Sequence, residues 1–307
     1  MSVTLDTGDR LHYLDWGRPP SAAVGDAAAR LPPLLLLHGL GQTAWAWAAV
    51  ARHLAADSHV LAVDLRGHGL SDSPRTGYEL DSLAFDALTV LTANGYGSDA
   101  GGPPAVVAGH GLGAMVAATM AALRPGSVAA LALVDGAFEE MAAATGLDAA
   151  EFGRSIGDPP EVLASMAAYL ADRRDYDPPT WDADQERAAR AAVDEKHAGH
   201  VAPVTRAHAL RGAVEAMFEF EPATTVGRWR GRLLVAVAES GSADDETARE
   251  RRLALDELLR LRALAGLPAP QVVRFGGAGH NLMRYRTAEL SAALADLLRA
   301  GLTYQRS

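Results

Sequence analysis

Groups able to move a proton or hold negative charge stand at the ends of apolar runs in this chain. Ala105 to Ala108 runs into Gly109-His110-Gly111-Leu112-Gly113, Ala129 to Val134 ends at Asp135, and Gln271 to Phe275 leads through Gly276-Gly277-Ala278-Gly279 to His280. An imidazole paired with a carboxylate is held in one tautomer and takes a proton near neutral pH. A helix opening at Leu112 turns its first backbone N–H groups, and the positive end of its dipole, toward any anion outside it. The chain has no cysteine, so neither a thiol nucleophile nor a disulfide framework is available.

Positioning these strings takes strands that break into turns. Leu34-Leu35-Leu36-Leu37, Val60 to Val63, Ala105 to Ala108 and Ala129 to Val134 are short and wholly apolar, the mark of parallel strands covered on both faces. Helical stretches alternate with them: Ala44 to Leu54, Tyr78 to Ala93, and Leu112 to Leu123, which Pro125 stops. This alternation predicts an α/β, doubly wound, mostly parallel sheet. Ser2 to Thr7 and Arg10 to Trp16 read as an antiparallel hairpin ahead of it, and Arg18 to Pro33 as a surface connection. From Ala137 to about Thr225 the pattern turns helical throughout, over Ala137 to Thr145, Glu161 to Asp172, Asp184 to His197 and Thr205 to Phe218. The sheet then resumes with Leu233 to Ala238, a helix from Arg251 to Ala265, the strand Gln271 to Phe275 and a last helix from Glu289 to Arg299. The expected organisation is a core of 1–136 and 226–307 with a helical cap at 137–225.

Gly109-His110-Gly111-Leu112-Gly113 between strand and helix resembles the G-x-S-x-G nucleophile elbow of the α/β-hydrolase superfamily, with glycine in the place of the serine. His38-Gly39 after the first apolar strand resembles the superfamily's oxyanion turn. Asp64-Leu65-Arg66-Gly67-His68-Gly69-Leu70-Ser71 resembles its D-x-R-G-x-G-x-S turn, and Gly277-Ala278-Gly279-His280 its histidine loop. The resemblance implies the α/β-hydrolase fold with a cap inserted after the strand that ends at Asp135. It also implies His280 as catalytic base, Leu40 and Leu112 as backbone oxyanion donors, and an acid partner. Asp135 is the favoured acid, with Glu239, Asp244 and Asp245 as alternatives in the loop after Leu233 to Ala238. Asp64 and Arg66 are expected to pin their loop as a charged pair, and His38 to brace its own loop through the backbone. Trp45, Trp47, Met166, Tyr169, Met217, Phe218 and Phe220 are read first as packing residues. Gly153-Arg154-Ser155-Ile156-Gly157 matches G-x-S-x-G literally, but no strand precedes it, so Ser155 is not expected to attack anything.

Gly111 decides the chemistry. Without a hydroxyl the covalent acyl-enzyme route is closed, while the elbow's unusual backbone conformation suits glycine. Three readings follow. The first is a cofactor-free enzyme acting on a small carbonyl-containing substrate, with His280 abstracting a proton and the backbone holding the enolate, in the manner of an epimerase, lyase or cyclase. The second is an ester, lactone or carbon–carbon hydrolase whose serine has been replaced. The third is a ligand-binding protein without chemistry.

Composition excludes other classes. With 28 cationic against 38 acidic residues the formal charge is −10, the wrong sign for nucleic acid. No apolar run reaches the length of a membrane span, and Met1 to Gly17 lacks a signal peptide's basic and apolar regions; a cytoplasmic protein is expected. A single lysine, Lys196, amid abundant alanine, glycine and arginine fits a GC-rich bacterial genome. No metal site is expected, since His197 and His200 lack completing ligands, and no cofactor, since no dinucleotide fingerprint is present. The oligomeric state is not legible.

Overall fold

The computed structural model describes residues 1–19, 31–156, 165–197, 199–239 and 246–304. Its strands and helices follow in the order β1 (Ser2–Thr4), β2 (Arg10–Asp15), β3 (Leu34–Leu37), α1 (Ala48–Leu54), β4 (Val60–Val63), α2 (Leu80–Ala93), β5 (Ala105–His110), α3 (Leu112–Leu123) and β6 (Val128–Val134). An insertion follows: α4 (Met141–Thr145), α5 (Ala149–Ile156), α6 (Met166–Tyr176), α7 (Ala183–Ala191), β7 (Val193–His197), β8 (His200–Pro203), α8 (Ala207–Phe218) and α9 (Pro222–Thr225). The sheet is completed by β9 (Arg232–Glu239), α10 (Glu246–Leu264), β10 (Gln271–Gly276), α11 (Leu282–Tyr285) and α12 (Thr287–Tyr304).

Eight strands form one sheet in the order β1-β2-β4-β3-β5-β6-β9-β10. Only the β1–β2 and β2–β4 pairings are antiparallel; from β4 to β10 every pairing is parallel. The apolar runs explain this. Strands β3 to β6 are buried along their whole length, and alternate residues feed two cores. Leu35, Leu37, Val107 and Leu131 pack with α2 and α3, while Leu34, Leu36, Val106 and Ala132 pack with α1 and α12. The chain runs outward from β3 to β4 and then restarts on the other side at β5. That reversal opens a crevice at the carboxyl ends of β3 and β5, where ligands sit in open α/β sheets.

The insertion departs from its all-helical expectation. The helix expected over Asp184 to His197 stops at Ala191, and β7 pairs antiparallel with β8. Val193, Val201 and Ala202 are buried while Asp194, Glu195 and His200 are exposed, and Gly199 turns the ribbon at φ +86°; strand pairing with burial of these apolar residues outweighs the helix propensity of Glu195 and Lys196. Asp64 and Arg66 also depart from expectation, because they do not pair with one another. Asp64 accepts from the His12 ring and from the amides of Ala44 and Leu70, whereas Arg66 forks onto Asp86 at 2.7 and 2.8 Å. Each buried charge has its own opposite or donor, as burial demands. No described helix is long and apolar enough to cross a membrane.

Candidate active site

Register builds the site. Leu37 lies beside Gly109, His110 beside Val134 and Val134 beside Ala236, so the residues that follow β3, β5 and β6 emerge along one edge. Gly111 then turns the chain into α3 with φ +51° and ψ −115°. Its neighbours are glycines for want of room. A Cβ on Gly109 would run into the Gly113 carbonyl, and one on Gly113 into the carbonyls of Leu37 and His38. At Gly111 the space is ordinary. A Cβ there would stand 3.5 Å from His280 Nε2 and 3.9 Å from Gly39 Cα.

The turn after β6 carries Asp135 at φ +49°, a conformation that costs a non-glycine residue about 1 to 3 kcal/mol. It persists because the carboxylate is pinned from several sides. Oδ2 lies 2.6 Å from His280 Nδ1, while Oδ1 accepts from Ala238 N at 2.8 Å and Arg251 Nη2 at 2.9 Å. Gly136 must be glycine, since a Cβ there would come within 2.8 Å of Gly111 Cα. Burial pushes the Asp135 carboxyl up, but the His280 hydrogen bond and the charge of Arg251 bring it below its ordinary value. A carboxylate only accepts, so His280 Nδ1 carries the proton and Nε2 presents its lone pair toward position 111. The imidazole is otherwise open, its side chain 58% exposed. Behind the pair, Arg251 Nε also contacts both Glu139 oxygens at 2.9 and 3.1 Å. Burial raises the Glu139 carboxyl, and the Arg251 charge offsets part of that rise.

The turn after β3 leaves one amide uncommitted. Gly39 N donates to Gln42 Oε1 at 3.0 Å, Gly41 N to His68 Nε2 at 3.1 Å, and Gln42 N to Gly39 O at 3.1 Å. The Leu40 N–H donates to none of the described residues, and neither does that of Leu112 at the start of α3. Side chains lock this turn. His38 Nδ1–H donates to Gly39 O while its Nε2 accepts from Leu65 N, and His68 Nδ1–H donates to Arg66 O. Burial lowers both rings, His68 to about 3, so they stay neutral and keep an acceptor for the backbone. His110 stacks against His280 with ring centroids 4.3 Å apart and touches Gln42 Oε1 and His280 O; burial takes it also to about 3. Gln42 Nε2 in turn donates to Asn281 Oδ1 at 2.6 Å. Elbow, oxyanion turn and histidine loop are thereby joined by side chains.

Of the expected site residues, Gly111, His280 and Asp135 are brought together, with Leu40 and Leu112 on the two turns beside them. The alternative acid Glu239 instead pairs with Arg274 at 2.9 Å, and Asp244 and Asp245 lie outside the described residues. Ser155 is exposed on α5, its hydroxyl donating to Phe152 O. Trp47, Met217 and Phe220 are buried, and Phe218 packs on Phe152. Trp45 lies under the Arg187 guanidinium, and Met166 is half-buried. Tyr169 faces a cavity. Arg251, Glu139, Gln42 and Asn281 were not expected. Only adjacency could have flagged the last two, which directly follow the His-Gly-Leu-Gly and Gly-His strings. No group of three metal-ligating side chains occurs among the described residues.

Residues 34–293 match the model of the alpha/beta hydrolase family. The chain is 33% identical over 143 residues to 2-(acetamidomethylene)succinate hydrolase of Mesorhizobium japonicum, covering 46% of this chain and 49% of that protein. It is 33% identical over 132 residues to Epoxide hydrolase 4 of Homo sapiens, covering 42% and 32%. The aligned stretches thus span half or less of these relatives' length. The crystal structure of E-2-(acetamidomethylene)succinate hydrolase superposes with a TM-score of 0.73 at 23% identity, covering 97% of this chain and 99% of that one.

Proposed function

The chain belongs to the alpha/beta hydrolase family, and from that premise we propose that it is a cofactor-free enzyme that acts on a small carbonyl compound without a covalent acyl intermediate. The observation that carries this reading is the placement of His280. Its Nε2 lies 3.5 Å from where a side chain at Gly111 would begin, with Nδ1 fixed by Asp135, so a base faces space that a nucleophile would otherwise fill. In the proposed step, His280 Nε2 takes a proton from the carbon next to the carbonyl. The electrons of that C–H bond move into the C–C bond, and the carbonyl electrons move onto oxygen. The Leu40 and Leu112 N–H groups stabilise the resulting enolate. The imidazolium then returns the proton to the carbon, or the enolate expels a β-substituent that leaves with the imidazolium's proton, or the enolate carbon attacks a second carbonyl of the substrate, whose oxygen takes that proton as the ring closes. Oxyanion hole and binding alone sustain roughly 10³ to 10⁴-fold catalysis over water when a triad lacks its nucleophile. The segment 137–225 is proposed as the cap that shapes the substrate, and both relatives named above are hydrolases by their names.

Exchange of α-protons of small keto acids and keto esters in D₂O, followed by ¹H NMR, tests the step. Exchange is expected with the parent protein and at least 100-fold slower with His280→Ala; equal rates for the two overturn the proposal. A hydrolase lacking its serine is the second reading, favoured by the ordinary van der Waals space at Gly111. Gly111→Ser separates the two. Nitrophenyl acetate turnover that appears only with serine, with no α-proton exchange by the parent, selects the hydrolase.

A further inference from the structure

A cavity of about 250 Å³ lies beside the oxyanion turn and the histidine loop, between the 3-10 turn Ala44–Trp47 that precedes α1 and the insertion helices α6 and α7. Gly41 and Gln42 line it from one loop and Asn281 from the other, so it adjoins the proposed reaction centre. In a chain of net charge −10, its lining holds two arginines, Arg173 and Arg284, and no carboxylate. Arg284 is the more firmly placed. Its Nε donates to Thr180 Oγ1 and its Nη2 to Asp177 O, with Asp177 Oδ2 3.9 Å away and its side chain only 15% exposed. Nη1 donates to none of the described residues. Arg173 is half-exposed and shares its charge with Asp172.

Tyr169, Tyr176 and Trp181 add aromatic wall, and the volume is below the roughly 300 Å³ at which pockets for larger ligands begin.

We propose that this cavity binds the carboxylate-bearing, flat end of a small substrate, with the Arg284 guanidinium as charge anchor. It rests on the reading of His280 as base only in calling the ligand a substrate. Arginine suits the task because its planar fork matches a carboxylate and it stays charged.

The probes are benzoate and its neutral isostere benzamide, titrated into the full chain and followed by calorimetry and ligand ¹H NMR. Benzoate is expected to bind at least ten-fold more tightly than benzamide. Arg284→Met should cut benzoate affinity at least ten-fold and leave benzamide unchanged, and Arg284→Lys should recover part of the loss. Because Arg284 also braces Asp177 and Thr180, each variant's thermal transition is recorded. If Arg284→Met does not fold, Arg284→Lys decides alone, with benzoate expected to bind more weakly than to the parent and still more tightly than benzamide. Equal affinity for benzoate and benzamide, or benzoate binding indifferent to the folded Arg284 variants, overturns the assignment. His280→Ala keeps benzoate binding while removing α-proton exchange, so failure of the cavity and failure of the base are read by different measurements.

Discussion

The two sides of the cleft are built to different standards. On the acid side, Asp135 holds a strained φ of +49°, takes two donors on Oδ1 and one on Oδ2, and draws in Arg251 and Glu139 behind it. On the elbow side, Gly111 offers a positive φ and a space bounded by ordinary contacts. Strain and buried charge persist only where the surroundings over-determine them. The difference teaches that this scaffold fixes a histidine–carboxylate pair from several sides, whereas position 111 is limited by backbone conformation alone.

The largest break in that contrast is Asp135→Asn. The amide can still meet His280 Nδ1, but its NH₂ favours the tautomer with the proton on Nε2, which removes the base's lone pair from the cleft. The α-proton exchange rate is expected to fall by roughly 10⁴, the size known for this substitution in hydrolytic triads, measured against a thermal midpoint that shows the protein still folded. A rate within ten-fold of the parent would place the proton carrier elsewhere.

Alanine at the elbow sharpens the comparison from the other side. Gly113→Ala drives a Cβ into the carbonyls of Leu37 and His38, buried backbone at and just past the end of β3 that cannot swing away; a loss above about 4 kcal/mol is expected, the range reserved for such clashes. Gly111→Ala meets only the strain of its φ, about 1 to 3 kcal/mol. Urea unfolding of the two variants gives the difference directly, and equal losses would mean that the elbow's room is not what the geometry implies.

Much of this was legible because turn chemistry is written locally. The apolar tetrads Leu34 to Leu37 and Val60 to Val63 became strands at those residues, and the glycine strings fell at their carboxyl ends. The choice between Asp135 and the residues after β9 was harder, since β6 and β9 are neighbouring parallel strands and either end reaches the histidine loop; only three-dimensional register separates them. Arg251 carries no local signature at all. It enters from α10, more than 100 residues beyond its partners, and nothing in its neighbourhood marks it among the arginines of that helix. The β7–β8 ribbon has no strand signature in the sequence, because Glu195 and Lys196 are good helix formers and the burial of Val193, Val201 and Ala202 that goes with its pairing is not a local property.

Arg251 gives the finest adjustment. Replacing it alone would leave Glu139 buried without its cation, so Arg251→Met is paired with Glu139→Gln to spare the fold a lone buried charge. In the double variant Asp135 keeps the burial that pushes its carboxyl up and keeps His280, but loses the adjacent cation that helps bring it below its ordinary value. Its folded pKa therefore rises relative to the parent. A depressed carboxylate contributes stability that is present above its unfolded pKa, about 3.9, and is lost as pH falls through the folded value. With the depression reduced, that loss starts at a higher pH. The acid limb of the stability profile, read by urea unfolding across pH, must therefore move upward. Above that limb the rate is expected to stay within about ten-fold of the parent, roughly 1.4 kcal/mol, because the Asp135 to His280 hydrogen bond is intact. An acid limb that stays in place would show that Arg251 holds α10 against the sheet without tuning the pair.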